Sequence, residues 1–440
     1  MPALNVQSAL AAGGGTSTTS TTFVDGTVLD LPGGIPSGVD YFIAYRANFG
    51  GNDAAQVGQV RLLQVTGSVE LGLTGGEGIG NSNHWDTGQL QGFARVTTGA
   101  VSDNFSIQHR NVTSSDTNYL GSRAIVAIPI GQNSIIDEFD GSVIQEQVTL
   151  TQDYDYFYSG TNSGTAEVSS VGNTWTTVRT VDFAINTAGD YRVFFSCEAT
   201  LAGGSATDGA QCRFQIDASN ISPEFVHEWE DDEDRPNFAW SKQVNLTAAS
   251  HTFRVQVQNR NSSSIVSAYR SRIWAFRNAT FAAGAYSTLT SGDSAITHTS
   301  YSDSEVVLDT SMTSKNPGRV VCFASVNLGY SGGVALAELK NAGGTERSVD
   351  AGRAYNDSGL DSGDDLMPTV LMMEDGTNRG EEPGYRVRHR LSAAGTGTIG
   401  RNAGNTANIE NNLMIWHLFV EQHDVSSIIS QTGVVTTTPQ

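Results

Sequence analysis

A strand pair recurs three times along this chain, and its period limits the fold more than any other feature. It reads FSIQHR at 105–110, a polar loop, then SRAIVAI at 122–128. It returns as FRVQVQNR at 253–260 with SRIWAF at 271–276, and as YRVRHR at 385–390 with NLMIWHLF at 412–419. A spacing of roughly 130–150 residues is too long for a solenoid repeat and suits a whole domain.

The repeat extends beyond that pair. YFIAYRANF at 41–49, YRVFFSCEATL at 191–201 and GRVVCFASVNL at 318–328 correspond, and each runs into a glycine pair: Gly50-Gly51, Gly203-Gly204 and Gly332-Gly333. A second strand follows at 59–65, 211–216 and 334–339, and another precedes at 26–31, 175–183 and 304–310. Within these segments apolar residues alternate with a period of two, and β-branched and aromatic residues fill them. The alternation puts Tyr41, Ile43, Tyr45 and Ala47 on one face; Val193, Phe195, Cys197 and Ala199 match them, as do Val320, Cys322, Ala324 and Val326. Residues 334–340 could form a short helix on composition, but their register with the other copies predicts a strand. Gly, Asn, Asp, Ser and Thr clusters break the chain every 8–12 residues or so, the rhythm of a sandwich.

These observations predict an all-β chain of three tandem antiparallel β-sandwich, jelly-roll-like domains at 23–131, 145–281 and 284–422, arranged as a string of beads. A length of 440 residues agrees with three domains. Low-complexity sequence flanks them: an extended N-terminal arm at 1–22, including AAGGGTSTTSTT, and a C-terminal tail at 423–440 ending TTTPQ. Such tails do not order alone and are expected in grooves of neighbouring subunits. Residues 1–22 carry no basic segment or continuous apolar core, so they are not read as a secretory signal peptide. No apolar run approaches the roughly 20 residues that span a bilayer.

The net charge is −21, from 46 acidic and 25 basic residues. That balance argues against nucleic acid and anionic membranes, which need clustered cations. Only three of the basic residues are lysines (Lys242, Lys315 and Lys340). Scarce lysine with abundant aspartate looks like adaptation to high salt, where screened carboxylates cost little; a GC-rich genome, which favours arginine codons, is the plainer alternative. Three cysteines make no disulfide framework. Cys197 and Cys322 fall on inward faces, Cys212 on the next strand; a Cys197–Cys212 bridge is conceivable, and buried free thiols are the expectation.

No motif carries clear chemistry. Gly329-Tyr330-Ser331-Gly332-Gly333 matches the nucleophile elbow, which needs a helix after the turn; here a strand is expected. Residues 75–80 (GGEGIG) lack the lysine and helix of a phosphate-binding loop. Two corresponding loops bring imidazole, indole and carboxylate together: His84, Trp85 and Asp86 in the first repeat, His227, Trp229 and Glu230 in the second. They are read as candidate ligand or host contacts, with a solvated acidic loop as the plainer alternative. The acidic loop at 356–365 makes Asp357, Asp361 and Asp364 weak candidates for structural Ca²⁺, without the spacing of an EF-hand. No cofactor and no enzymatic activity are expected.

Tandem jelly-roll modules, Gly/Thr-rich sequence, low-complexity termini and closing strands of the SRAIVAI, SRIWAF and NLMIWHLF type resemble the head-decoration, turret and fibre proteins of tailed viruses, over about residues 23–422. With the salt reading, viruses of halophilic archaea come within that resemblance. It implies a non-enzymatic protein on the particle exterior, homo-oligomeric with a trimer favoured, and held on the major capsid protein or another virion protein. The N-terminal arm is the expected anchor. The alternative it implies is a receptor-binding fibre or adhesin that grips a host glycan or surface protein.

Overall fold

The computed structural model describes residues 7–11, 16–31, 39–51, 57–77, 88–98, 103–112, 117–130, 132–137, 148–152, 156–202, 209–228, 235–260, 265–280, 283–289, 294–296, 299–300, 306–312, 318–331, 335–341, 367–377, 382, 384–391, 396–399 and 411–418. Among these the only helical element is one 3-10 turn, Asn278–Thr280.

The first sandwich contains β1 (Gln7–Ala11), β2 (Thr16–Thr18), β3 (Val24–Asp30), β4 (Asp40–Gly51), β5 (Val57–Gln64), β6 (Val69–Glu77), β7 (Gly88–Thr97), β8 (Asn104–Asn111) and β9 (Asn118–Ile130). One sheet runs β1-β9-β4-β7, with β2 also on β9; the other runs β3-β8-β5-β6. Counting β1 and β2 as one interrupted strand gives eight strands, in the orders 1-8-3-6 and 2-7-4-5. That is the jelly roll, two sheets joined by nested Greek keys. A short antiparallel pair, β10 (Gln132–Asp137) with β11 (Val148–Gln152), follows.

The second sandwich repeats the topology. It comprises β12 (Tyr156–Gly160), β13 (Val168–Val171), β14 (Thr176–Ala184), β15 (Gly189–Ala202), β16 (Gly209–Ile216), β17 (Ser219–Asn220), β18 (Phe225–Glu228), β19 (Asn237–Leu246), β20 (Ser250–Asn259) and β21 (Ile265–Arg277). Its sheets are β12-β21-β15-β19 and β14-β20-β16, the latter edged by β17 and β18. The third comprises β22 (Ala283–Leu289), β23 (Ser294–Ile296), β24 (Val306–Ser311), β25 (Gly318–Ser331), β26 (Ala335–Asn341), β27 (Met367–Thr377), β28 (Gly384–Leu391), β29 (Thr396–Ile399) and β30 (Asn411–Leu418). There the closing strand is split. β29 pairs with β25 over Leu328–Ser331, and β30 pairs with it over Arg319–Ser325.

Each sandwich encloses the alternating face expected from the repeat. Tyr41, Ile43, Tyr45 and Ala47 lie in the first core, Val193, Phe195, Cys197 and Ala199 in the second, and Val320, Cys322, Ala324 and Val326 in the third. Residues 335–341 form a strand, as the register argued. The three cysteines are buried free thiols.

Two expectations need revision. Part of the N-terminal arm belongs to the chain's own fold: Gln7–Ala11 pairs with Ala127–Arg123 of β9, the place that β12 takes on β21. It contributes the jelly roll's first strand, with Ala9 packed on the first core and Leu10 on the shared one. The sandwiches also do not hang as separate beads, because residues from all three enter one further apolar core.

Candidate functional site

The second faces of the three recurring strands build that shared core. In β4, β15 and β25 part of the face pointing away from the sandwich interior is apolar as well: Phe42 and Ala44, Phe194, and Val321 and Phe323. A strand covered on both sides reads as a nearly continuous hydrophobic run. The three phenylalanines meet one another. Phe42 lies 5.0 Å from Phe194 and 6.1 Å from Phe323, and Phe194 lies 5.3 Å from Phe323. Trp274 and Phe276 of β21 stack at 5.5 Å and set their edges against Phe42. Val370, Met372 and Met414 complete the third sandwich's share.

Polar groups ring this core and tie the sandwiches by name. Gln91 of β7 touches all three. Its Nε2 donates to the carbonyls of Asn237 at 2.9 Å and Pro368 at 2.6 Å, and its Oε1 accepts from the Val370 amide at 2.9 Å. Between the second and third sandwiches the Ser241 amide donates to Ser325 Oγ at 2.9 Å, and the two hydroxyls lie 2.6 Å apart. Between the first and second, the edge of β6 continues as a bridge from Gly75 to Arg235.

A charged cluster fills the seam between the first and second sandwiches. Glu198 is 2% exposed and accepts from Arg270 Nη1 at 2.7 Å, from Arg235 Nη2 at 3.1 Å and from the Leu73 amide at 3.2 Å. Arg270 Nη2 crosses to Glu70 of β6 at 2.7 Å. The register of β21 slips beside Ser196/Glu198, and Arg270 sits there with φ +42°. Such a bulge re-aims a side chain, and a non-glycine in this backbone region persists only where its surroundings hold it. Burial opposes the Arg270 charge, but Glu198 and Glu70 hold its pKa above the ordinary value. Next to it, Arg272 donates to the Leu71 carbonyl at 2.6 Å, to Asn162 Oδ1 at 2.9 Å and to the Tyr45 hydroxyl at 3.2 Å. Glycine makes room for that tyrosine: a Cβ at Gly92 would stand 2.5 Å from its hydroxyl oxygen, and one at Gly72 2.6 Å.

This arrangement fixes domains in place. Its carboxylates bind guanidinium groups, and its amides and hydroxyls bind backbone, as buried polar groups must. A hydrogen bond with Cys212, and then burial, lifts the Cys197 thiol well above its usual range, and burial does the same for Cys322, away from nucleophilic reactivity. Ser331, the centre of the elbow-like motif, ends a strand and pairs with Thr396; the next described element is again a strand. Among the described residues no group of three or more His, Cys, Asp or Glu side chains is placed to hold a metal. No helix among them is long and apolar enough to cross a membrane.

Of the residues singled out in the sequence, His227 is described: it lies in β18, buried, paired with Ala210. His84, Trp85, Asp86, Trp229, Glu230, Asp357, Asp361 and Asp364 fall outside the described residues. Gln91, Glu198 and Arg270 were not foreseen. Their signal was weak: a charge or amide amid an apolar strand run, with its partner in another repeat.

No family model and no curated protein matches the chain. Among solved structures it is similar to the archaeal-virus protein described under a triple jelly-roll fold and turret assembly: 8% identity, 93% of this chain and 91% of that chain covered, TM-score 0.19. It is similar to the VP2 subviral particle protein of infectious bursal disease virus at 6% identity, covering 98% and 84%, with a TM-score of 0.21. It is also similar to the tandem CBM22 domains of Paenibacillus barcinonensis Xyn10C at 12% identity, covering 61% and 93%, with a TM-score of 0.17. The assignment of three jelly rolls rests on the strand pairing within this chain.

Proposed function

We propose that this chain is a non-enzymatic structural protein of a virion, a decorating, turret or spike element on the particle exterior. The observation that carries the reading is the shared core. Three jelly rolls that could each be independent are instead bonded into one block, and the buried charges at the seam serve that bonding. A shape-holding block of this kind suits a load-bearing surface element. A net charge of −21 keeps such a block soluble and self-repelling until specific contacts form. Its partners in this reading are further copies of itself and another virion protein, with a trimer as the favoured oligomer.

Immunogold electron microscopy with antibody raised against the purified protein tests the reading. Regular labelling on the outside of intact virus particles is the expected result. Absence of the protein from purified particles, or labelling only after they are broken open, overturns it.

A further inference from the structure

Two of the three cysteines face each other across the core of the second sandwich. Cys197 lies in β15 of one sheet and Cys212 in β16 of the other, and both enter the same apolar core, 1% and 0% exposed. Between the same two strands the rings of Phe195 and Phe214 stack at 5.0 Å. These consecutive strands run in opposite directions. Two residues on along β15 and two back along β16 therefore set Cys197 against Cys212, and the two thiols hydrogen-bond to each other. One more such step opposes Ala199 to Ala210, both fully buried. Packed sheets usually lie about 10 Å apart, too far for a disulfide, whose Cα atoms sit roughly 4.4–6.8 Å apart. A facing column that shrinks from ring to thiol to methyl marks the end where the sheets draw together.

Packing alone does not call for sulfur at this place. By the register of β5, β16 and β26 on their partner strands, the corresponding facing pair is Tyr45 with Val60 in the first sandwich and Ala324 with Ala337 in the third. The remaining cysteine, Cys322, lies in the third core, apart from the other two.

We propose that Cys197 and Cys212 are a redox pair that closes into a disulfide across the second sandwich when the chain meets an oxidising medium. The reaction is exchange with a small disulfide of the oxidised-glutathione class. One cysteine thiolate attacks that disulfide, forming a mixed disulfide and releasing one glutathione thiol. The other cysteine thiolate then attacks the protein sulfur and displaces the second glutathione. One S–S bond forms in the protein and one breaks in the oxidant, which takes up the two electrons and the two thiol protons. In the closed domain both sulfurs are out of reach, and the mutual hydrogen bond and burial disfavour the Cys197 thiolate. Closure therefore follows local opening of the second sandwich or accompanies its folding. The inference goes beyond the structural role and stands on different residues.

Mass spectrometry on the full chain tests it, after incubation in oxidised glutathione at a urea concentration below the unfolding midpoint. Free thiols are then blocked with N-ethylmaleimide in full denaturant. The reduced chain should block all three cysteines; the oxidised chain should block Cys322 alone and give a linked Cys197–Cys212 peptide. The oxidised chain should melt about 5 °C above the reduced one, because a closed loop of about 15 residues restricts the unfolded state, and dithiothreitol should erase the difference. Cys212→Val, which installs the residue used in the first sandwich, should abolish the oxidant's effect on melting, and Cys322→Ala should retain it. The parent's thiol count and melting midpoint decide if a variant fails to fold. Three blockable thiols after oxidation, a bond that includes Cys322, or an oxidised chain that melts no higher than the reduced one overturns the proposal.

Discussion

The rings of Phe42 and Phe194 lie 5.0 Å apart at 59°, one from β4 and one from β15, so the first and second sandwiches touch through the same strand of their repeat. Phe323 of β25 closes the triangle. Truncating a fully buried phenylalanine costs about 3–5 kcal/mol, and this ring serves three neighbours at once. Phe194→Ala should therefore lower the melting midpoint of the whole chain as one cooperative transition, read by differential scanning calorimetry. A second-sandwich transition that shifts alone would show that the shared core does not couple the domains.

Gln91 offers a narrower test of the same junction. Gln91→Leu keeps the volume but removes the donor to two carbonyls and the acceptor for the Val370 amide. Each buried group left unmet costs about 1–3 kcal/mol, so the three together should cost at least about 3 kcal/mol in chemical denaturation. Exchange of the Val370 amide with solvent should quicken by more than that of β25 amides paired within the third sandwich. Equal protection in variant and parent would contradict the bridging role.

The charged seam should behave as a buried pair does. Glu198→Leu removes the buried carboxylate that Arg270 and Arg235 share and leaves Glu70 to face Arg270, at a cost of about 3–5 kcal/mol. The double variant Glu198→Leu/Arg270→Met should recover much of that loss, since isosteric apolar replacement of a buried pair is often near neutral. Strict additivity of the two substitutions in a double-mutant cycle would mean that the pair is not coupled.

Much of this architecture was legible and part was not, for one reason. Alternation in Val193, Phe195, Cys197 and Ala199 declared a sandwich face, because inward packing demands a period of two. The intervening Phe42, Phe194 and Phe323 carried the opposite message, burial on both sides, and a continuous apolar run is ambiguous until the topology shows what covers it. The first strand of the jelly roll was hidden more deeply. QSALA is short and has no β-branched or aromatic residue, and its pairing with β9 depends on a segment more than a hundred residues away. The Arg270 bulge has no sequence mark at all, since its register slip is fixed by the partners it meets.

Acid should weaken the first sandwich through His109. Burial, with Arg123 nearby, depresses its imidazole to about 4, while an unfolded histidine titrates near 6.5. The unfolded state therefore binds more protons between those values, and stability rises with pH across that window. The neutral ring's full contribution is present above about pH 6.5 and is lost as pH falls toward 4, about 3 kcal/mol in all. The melting midpoint should drop between pH ~7 and ~4.5 by less in His109→Gln than in the parent. Identical pH profiles would remove His109 from the account.

Deleting residues 1–22 separates two roles for the N-terminal segment. If it served only as a tether to a neighbour, its loss would leave the chain as stable as before. Here Gln7–Ala11 and Thr16–Thr18 cover the edge of β9, with Thr16 Oγ1 within 3.4 Å of His109 Nε2. Removing them bares the backbone donors and acceptors of a long strand, which is a template for edge-to-edge association. The truncated chain should melt lower and form concentration-dependent aggregates in light scattering. A stable, dispersed chain lacking residues 1–22 would mean that the first jelly roll closes without its opening strand.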